Sequence, residues 1–447
     1  LVQAVRVDVD SAGANMIEMP GVVGDVVRSV GLSTAMKAAG VVTGLLPIAQ
    51  PMLLVGPGSS KRLAQALAGF GHRRILIVTD ETIVKLGLLK GFTHALKQAG
   101  AEFAVFDAVT PDAPIPVIER GLAFYTRRGC DAVVGFGGGS PIDAAKVIAY
   151  AATNKAHPFK LAGYFRGLHA PAPIYAVPTT AGTGSEVTVA AVMSDPESGR
   201  KLVVADTRLV PSMAALDPSL MVGLPPAVTA ATGMDALTHA VEAFIGQWAT
   251  EYTDRMALAA VALIYENLRV AWKTPRSLEA RERMSLAATY AGLAFTRANV
   301  GYVHAIAHQL GGKYHTPHGL ANAIMLPHVL RFLAPAVTKR LALLAVAARL
   351  GKSGERPAAL AKKFLDSIDA MNRELGIPLH LDALREADIP ELATAACWEA
   401  DTNYPVPKYM SPKTCEGIIR AVLPKSARKA GRARPDRKTP ASRKSRG

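Results

Sequence analysis

The sequence predicts an α/β domain with a mainly parallel sheet, followed by an all-helical domain. Three observations carry this. From Met52 to Val177 short apolar runs alternate with helical patterns, and strands joined through helices imply a parallel sheet covered on both faces. After Pro225-Pro226 the alternation stops, and long helical segments fill 227–423 without a strand ladder. Two stretches rich in metal-ligand residue types, 233–244 and 304–318, both fall in that second part. A chain of 447 residues, half of them hydrophobic and 19% charged, has room for two domains and a large core.

The elements follow in order. Residues 1–23 have no basic stretch followed by an apolar run, so they do not read as a signal peptide. Residues 38–55 carry no charge and approach the length of a bilayer span, but Pro47 and Pro51 interrupt them with Gln50 between. The expectation is a helical extension over 1–46, its helix near 24–46, and then a strand at 52–55. Gly56-Pro57-Gly58 closes that strand, and Ser59 or Ser60 can cap a helix carrying Leu63 and Leu67. Further strands are expected at 74–79, 103–106, 132–135 and 174–177, with helices near 83–99, 114–128 and 141–152. Residues 47–225 then form the α/β domain and 226–423 the helical one, with no internal repeat.

Three cysteines, Cys130, Cys397 and Cys415, form neither a CxxC pair nor a disulfide framework, which suits a reducing, cytoplasmic setting. The net charge of +15 is unevenly placed: residues 424–447 hold ten Lys or Arg and one Asp, so +9 belongs to this tail and +6 to the rest. The tail has no apolar periodicity and is expected to be a disordered, solvated segment, with contact to an acidic surface as the sharper alternative. This distribution argues against a specific nucleic-acid partner.

The helical part concentrates four of the eleven histidines in fifteen positions: His304, His308, His315 and His318. His304 and His308 are four apart and share a helix face. Gly311-Gly312 and Thr316-Pro317 let the chain turn back and bring His318 near His304. Asp235 and His239 are also four apart, among the apolar Met234, Leu237, Ala240, Val241 and Phe244. A buried Asp and His need partners, and a metal supplies one. Asp235, His239, His304 and His318 together offer three nitrogens and one oxygen to a divalent first-row metal. Two plainer readings stay open at this point: solvated histidines at a helix end, and an Asp–His hydrogen bond within one helix.

The α/β part has its own chemistry. Gly137-Gly138-Gly139-Ser140-Pro141 follows a strand and opens a helix, where glycines let the backbone approach a phosphate and the helix N-terminus favours its charge. Ser140 stands where the standard dinucleotide fingerprint needs its third glycine, and a tight turn is the alternative reading. A second loop after a strand, 178–188, is dense in hydroxyls suited to phosphate and amide hydrogen bonds. Asp80 at a strand end can accept from a ribose 2′-OH and would repel a 2′-phosphate, favouring NAD over NADP, or it is a helix cap.

Taken together, Phe-Gly-Gly-Gly-Ser-Pro-Ile-Asp at 136–143, Pro-Thr-Thr-Ala-Gly-Thr-Gly-Ser-Glu-Val-Thr at 178–188, Gly-Met-Asp-Ala-Leu-Thr-His at 233–239 and His304 to His318 resemble the iron-containing (group III) alcohol dehydrogenases. The resemblance runs in order from about 51 to 423. It implies a Rossmann-like dinucleotide-binding domain, a helical metal domain and a cleft between them. It implies Fe²⁺, or in some members Zn²⁺, on Asp235, His239, His304 and His318, with His308 a catalytic histidine near the nicotinamide and substrate. Asp80, Gly138, Gly139, Ser140, Thr179, Thr180, Thr183 and Lys201 match cofactor-binding positions.

The implied activity is hydride transfer between an alcohol or hydroxy acid and NAD, giving the aldehyde or ketone. The metal would stabilise the alkoxide, and His308 would relay its proton. A hydroxyacid–oxoacid transhydrogenase and a zinc-dependent, glycerol-type polyol dehydrogenase are the neighbouring alternatives. The expected partner is a small alcohol or aldehyde, without a membrane, and a homo-oligomer stays open. Two places depart from the family pattern: Asp112-Ala113 replaces a common Asn-Pro, and Asn403-Tyr404-Pro405 replaces a common Asn-Pro-Arg. The substrate-side arginine of that second motif is therefore not expected there.

Overall fold

The structure, a computed structural model, describes residues 34, 36, 38–41 and 43–424. The basic tail from 425 onward and most of the N-terminal extension lie outside the described residues. Within the extension, positions 34, 36, 38–41, 43 and 44 are helical, in keeping with a helix that ends near 46.

The α/β part begins with β1 (Met52–Val55), α1 (Ser59–Gly69) and β2 (Ile75–Val78). Two short helices, α2 (Glu81–Lys85) and α3 (Lys90–Gln98), lead to β3 (Phe103–Phe106). Then come α4 (Ile115–Arg128), β4 (Ala132–Gly137) and α5 (Gly139–Asn154), followed by β5 (Gly163–Tyr164), β6 (Ile174–Pro178), β7 (Ala190–Asp195), β8 (Arg200–Ala205) and β9 (Met213–Leu216). The main sheet has the order β1-β9-β6-β4-β2-β3, and every neighbouring pair in it is parallel.

Both faces of this sheet are covered, and β2 shows how. Its residues alternate across the sheet. Ile75 and Ile77 pack with Leu63, Leu67 and Phe92 of α1 and α3, while Leu76 and Val78 pack with Ile118 and Ile148 of α4 and α5. Burial on both sides explains why the strand reads as an unbroken apolar run.

Three expectations need correction. The helix read over 83–99 is two helices, broken where Gly87 takes φ +70°. Strand β9 was not expected, because Met-Ala-Ala-Leu lacks the β-branched and aromatic residues that mark strands. A second sheet, β5-β8-β7, was also not expected; it includes the antiparallel pair β7–β8, turned at residues 196–199.

The helical part comprises α6 (Pro226–Ile245), α7 (Glu251–Lys273), α8 (Leu278–Ala298), α9 (Tyr302–Tyr314), α10 (His318–Ala347), α11 (Pro357–Glu374), α12 (Ile389–Asn403) and α13 (Pro412–Arg420). Helix α6 is its centre: from Gly233 to Ile245 every residue is buried. A helix apolar on all sides must be surrounded, and α7, α8 and α10 all pack against it. Helix α10 contains Pro327 and Pro335 and leaves helical geometry at Val337, as a lost hydrogen bond and a ring clash require. Among the described residues, no helix is long and apolar enough to cross a membrane.

Candidate active site

Asp235 and His239 stand one turn apart on α6, both almost fully buried. His304 and His308 stand one turn apart on α9. That helix ends at His315 in the left-handed region, φ +53°, and α10 starts at His318. The chain thus doubles back at the Thr-Pro signal, whereas Gly311-Gly312 stay within the regular helix. His315 itself faces solvent.

One ligand atom from each of Asp235, His239, His304 and His318 lies within 4.8 Å of the other three. Nε2 of His318 and Nε2 of His304 approach Asp235 Oδ1 at 3.6 and 4.0 Å. His239 Nδ1, His304 Nε2 and His318 Nδ1 are buried without a hydrogen-bond partner. Buried polar atoms without partners are costly, and several of them converging is unusual. Three imidazoles and one carboxylate are a donor set suited to a divalent transition metal, so these residues fit one. Burial holds the His304 and His318 imidazoles well below their ordinary range, and nearby imidazoles push the same way. Burial also lowers His239, against the opposing pull of Asp235. A neutral imidazole is the form that binds a metal.

Behind these ligands is a carboxylate that the sequence reading passed over. Glu242, three residues beyond His239 on α6, accepts from Gly301 N (2.9 Å), Val303 N (2.7 Å) and His304 Nδ1 (2.6 Å). Burial pushes its carboxyl up to about 7, while the Val303 and Gly301 N–H groups pull it down. As a carboxylate it only accepts, so the His304 proton sits on Nδ1 and Nε2 is left facing Asp235. Asn322 of α10 donates from Nδ2 to Asp235 Oδ1 at 2.7 Å and orients that ligand. The signal for Glu242 was its place at helical spacing in an otherwise apolar run.

His308 stands outside the group of four. Its ring stacks on His318, centroids 5.3 Å apart, and its Nδ1 bonds Glu399 Oε1 at 2.6 Å. Glu399, on α12, also accepts from Gln309 Nε2 (2.7 Å) and Tyr404 OH (2.6 Å). No motif pointed to Glu399, because His308 and Gln309 lie about 90 residues away along the chain.

The facing wall comes from the parallel sheet. The C-terminal ends of β2, β4 and β6 lie side by side, Val78 beside Gly135 and Gly137 beside Pro178. Ligands bind at this edge of parallel α/β sheets. Gly137 takes φ +151°, and a Cβ there would lie 2.6 Å from Pro141 Cγ. A Cβ on Gly139 would lie 2.8 Å from Thr183 Cγ2, so the two loops touch there. Thr179 is buried, and its N–H donates to Gly137 O at 2.9 Å. Thr180 Oγ1 lies next to Gly138. Ser140 Oγ accepts from Asp112 N (3.1 Å), and Asp112 Oδ1 pairs with Lys201 Nζ (2.8 Å). Asp80 caps α2 with Oδ1, which accepts from Ile83 N at 2.9 Å, while Oδ2 lies toward Gly137.

A cavity of about 310 Å³ joins the two walls. Gly139, Ser140, Thr183 and Lys201 line it on one side, and His239, His304, His308 and His318 on the other. Asp80, Gly138, Thr179 and Thr180 are not among its lining residues.

Residues 51–218 match the family described as iron-containing alcohol dehydrogenase, and residues 229–423 match its C-terminal part, the Fe-containing alcohol dehydrogenase family, C-terminal. The chain belongs to the iron-containing alcohol dehydrogenase family. It is similar to the 1,3-propanediol dehydrogenase of Klebsiella pneumoniae, with 43% identity over 76% of this chain and 89% of that one. It is similar to the NAD-dependent methanol dehydrogenase of Bacillus methanolicus, with 37% identity over 77% of this chain and 91% of that one. A solved 1,3-propanediol oxidoreductase superposes with a TM-score of 0.82 at 39% identity, over 85% of this chain and all of that one. Like these relatives, this member of the iron-containing alcohol dehydrogenase family is an alcohol–aldehyde oxidoreductase.

Proposed function

We propose that the chain exchanges hydride between a small alcohol and NAD, with residues 47–225 holding the cofactor and 226–423 holding a divalent metal, Fe²⁺ in first place. One observation carries the reading: His239, His304 and His318, three members of the four-residue donor set, line the same cavity as Gly139, Ser140 and Thr183. Bound there, the metal supplies Lewis acidity toward an alcohol oxygen and NAD supplies the hydride acceptor.

The remaining work falls to the protein. Asp235, His239, His304 and His318 hold the cation, and Glu242 keeps His304 in the tautomer that presents Nε2. His308 is the proton acceptor. With Nδ1 committed to Glu399, its Nε2 takes the hydroxyl proton, and the Glu399 carboxylate stabilises the imidazolium that results. Backbone N–H groups of the 137–140 loop, at the start of α5, receive the pyrophosphate. Asp80 Oδ2 accepts from the ribose 2′-OH and repels a 2′-phosphate, which favours NAD. The buried, unpaired Cys130, Cys397 and Cys415 suit a cytoplasmic enzyme.

Anaerobic purification, metal analysis and an NAD-linked screen of alcohols, hydroxy acids and polyols test this. One divalent metal per chain and NAD reduction with alcohols are expected. A preparation that holds its metal yet reduces no added NAD, while passing hydride from a hydroxy acid to an oxo acid, would overturn it in favour of the transhydrogenase reading.

A further inference from the structure

The cavity has a third wall, built by residues before 51, outside both family matches. Thr43, Leu46 and Ile48 line it together with Trp248 and Phe295. Exposure alternates along this stretch: Leu46 and Ile48 are half-buried, whereas Leu45, Pro47 and Ala49 face solvent, Leu45 at 82%. That is the pattern of extended chain turning one apolar face inward.

The segment is pinned at three points. Trp248 Nε1 donates to Met36 O at 2.8 Å, Arg297 Nη2 to Ile48 O at 3.0 Å, and Gln50 Nε2 to Tyr252 OH at 2.6 Å. Gly40 lies so close to the indole of Trp248 that a Cβ there would meet Cδ1 at 2.5 Å. The helix before the segment is therefore seated flat on Trp248, and Met36 is buried beneath it.

The polar side chains around this wall are already engaged. Thr43 Oγ1 donates to Ala39 O, Thr296 Oγ1 accepts from Val189 N, and Arg297 serves Ile48 O. Asn299 donates to Asn403 O and accepts from Val300 N. A second hydroxyl on a substrate would enter a surface of Leu46, Ile48, Phe295 and Val300, side chains that offer it no hydrogen bond, which is unfavourable. An alkyl or aryl group would gain from the same burial.

We propose that Leu46 and Ile48 are specificity-determining residues: they roof the substrate end of the cleft and select apolar alcohols and aldehydes over short diols and polyols. The inference rests on the oxidoreductase reading above.

The test uses the full chain and the double variant Leu46→Asn/Ile48→Asn, which keeps the number of side-chain heavy atoms but makes them polar. With NAD, kcat/KM is measured for 1-hexanol, ethanol and 1,3-propanediol, alongside bound metal and Tm. The parent is expected to favour 1-hexanol over 1,3-propanediol by about tenfold or more, and the double variant to lose about tenfold in the hexanol-to-ethanol ratio. Trp248→Phe, which removes the donor to Met36 O and part of the ring beside Gly40, should shift the ratio in the same direction by less. A parent that prefers 1,3-propanediol would overturn the substrate class. Ratios unchanged in both variants would overturn the role of the roof. A parent that oxidises no alcohol with NAD overturns the oxidoreductase reading itself, and this inference with it.

Discussion

The two facing walls of the cavity are built by opposite means. On the helical wall the chemistry lies in side chains: Asp235 and His239 on one buried helix, His304 and His318 at either side of a turn, with Glu242 and Asn322 fixing two of them. On the sheet wall it lies in the backbone, where Gly137 and Gly139 bring chain to chain and leave N–H groups for a ligand. The first kind of wall should lose function residue by residue while its fold survives. The second also depends on close backbone approach, so adding atoms at its glycines is what damages it.

Substitutions can break this contrast, and the largest effect belongs to a ligand. His318→Ala should lose most of its bound metal, and turnover on the order of 10³-fold with it, while far-UV circular dichroism stays near the parent. Metal analysis decides this, since full occupancy would remove His318 from the donor set. His308→Ala comes next, with kcat down ~10²–10⁴-fold and metal retained, because its place is beside the donor group rather than in it. Loss of metal in this variant would make His308 a ligand and blur the division of labour.

Glu242→Gln is smaller and sharper. It keeps the shape but offers His304 Nδ1 an amide in place of a carboxylate, so metal affinity should fall about 10- to 100-fold in a chelator competition. An unchanged affinity would mean that an amide oxygen serves His304 Nδ1 as well as the carboxylate does. On the sheet wall, Gly139→Ala should raise the KM for NAD about tenfold with metal content intact, because its Cβ meets Thr183 at 2.8 Å. A loss of metal there would show that the walls are coupled.

The same contrast explains what could be read from the sequence. Side-chain chemistry at i,i+4 spacing is written directly in residue types, which singled out Asp235 with His239, while a turn signal brought in His318 and the family resemblance set His308 apart. Glu399 was not legible, because only folding brings α12 against α9. The strands of the main sheet were legible where Val, Ile and Phe filled them, and β9 was missed because its Met-Ala-Ala-Leu is apolar without being β-branched. The pair β7–β8 was hidden for another reason: it follows directly on a loop whose hydroxyls drew a cofactor reading, and half-buried strands give a weaker signal. Asp80 shows the limit of reading by residue type, since one carboxylate both caps α2 and reaches toward the glycine loop.

The strand order carries a consequence for synthesis. Among the described residues, strand β1 pairs only with β9, Met52 against Met213, roughly 160 residues later in the chain. At about 5–20 residues per second, its apolar Met-Leu-Leu-Val edge waits roughly 8–30 s for a partner on the ribosome. The roof waits longer, because Trp248 and Arg297, which pin it, come later still. The segment just before β1 is therefore among the last to be seated, and closing the substrate end belongs to the end of folding.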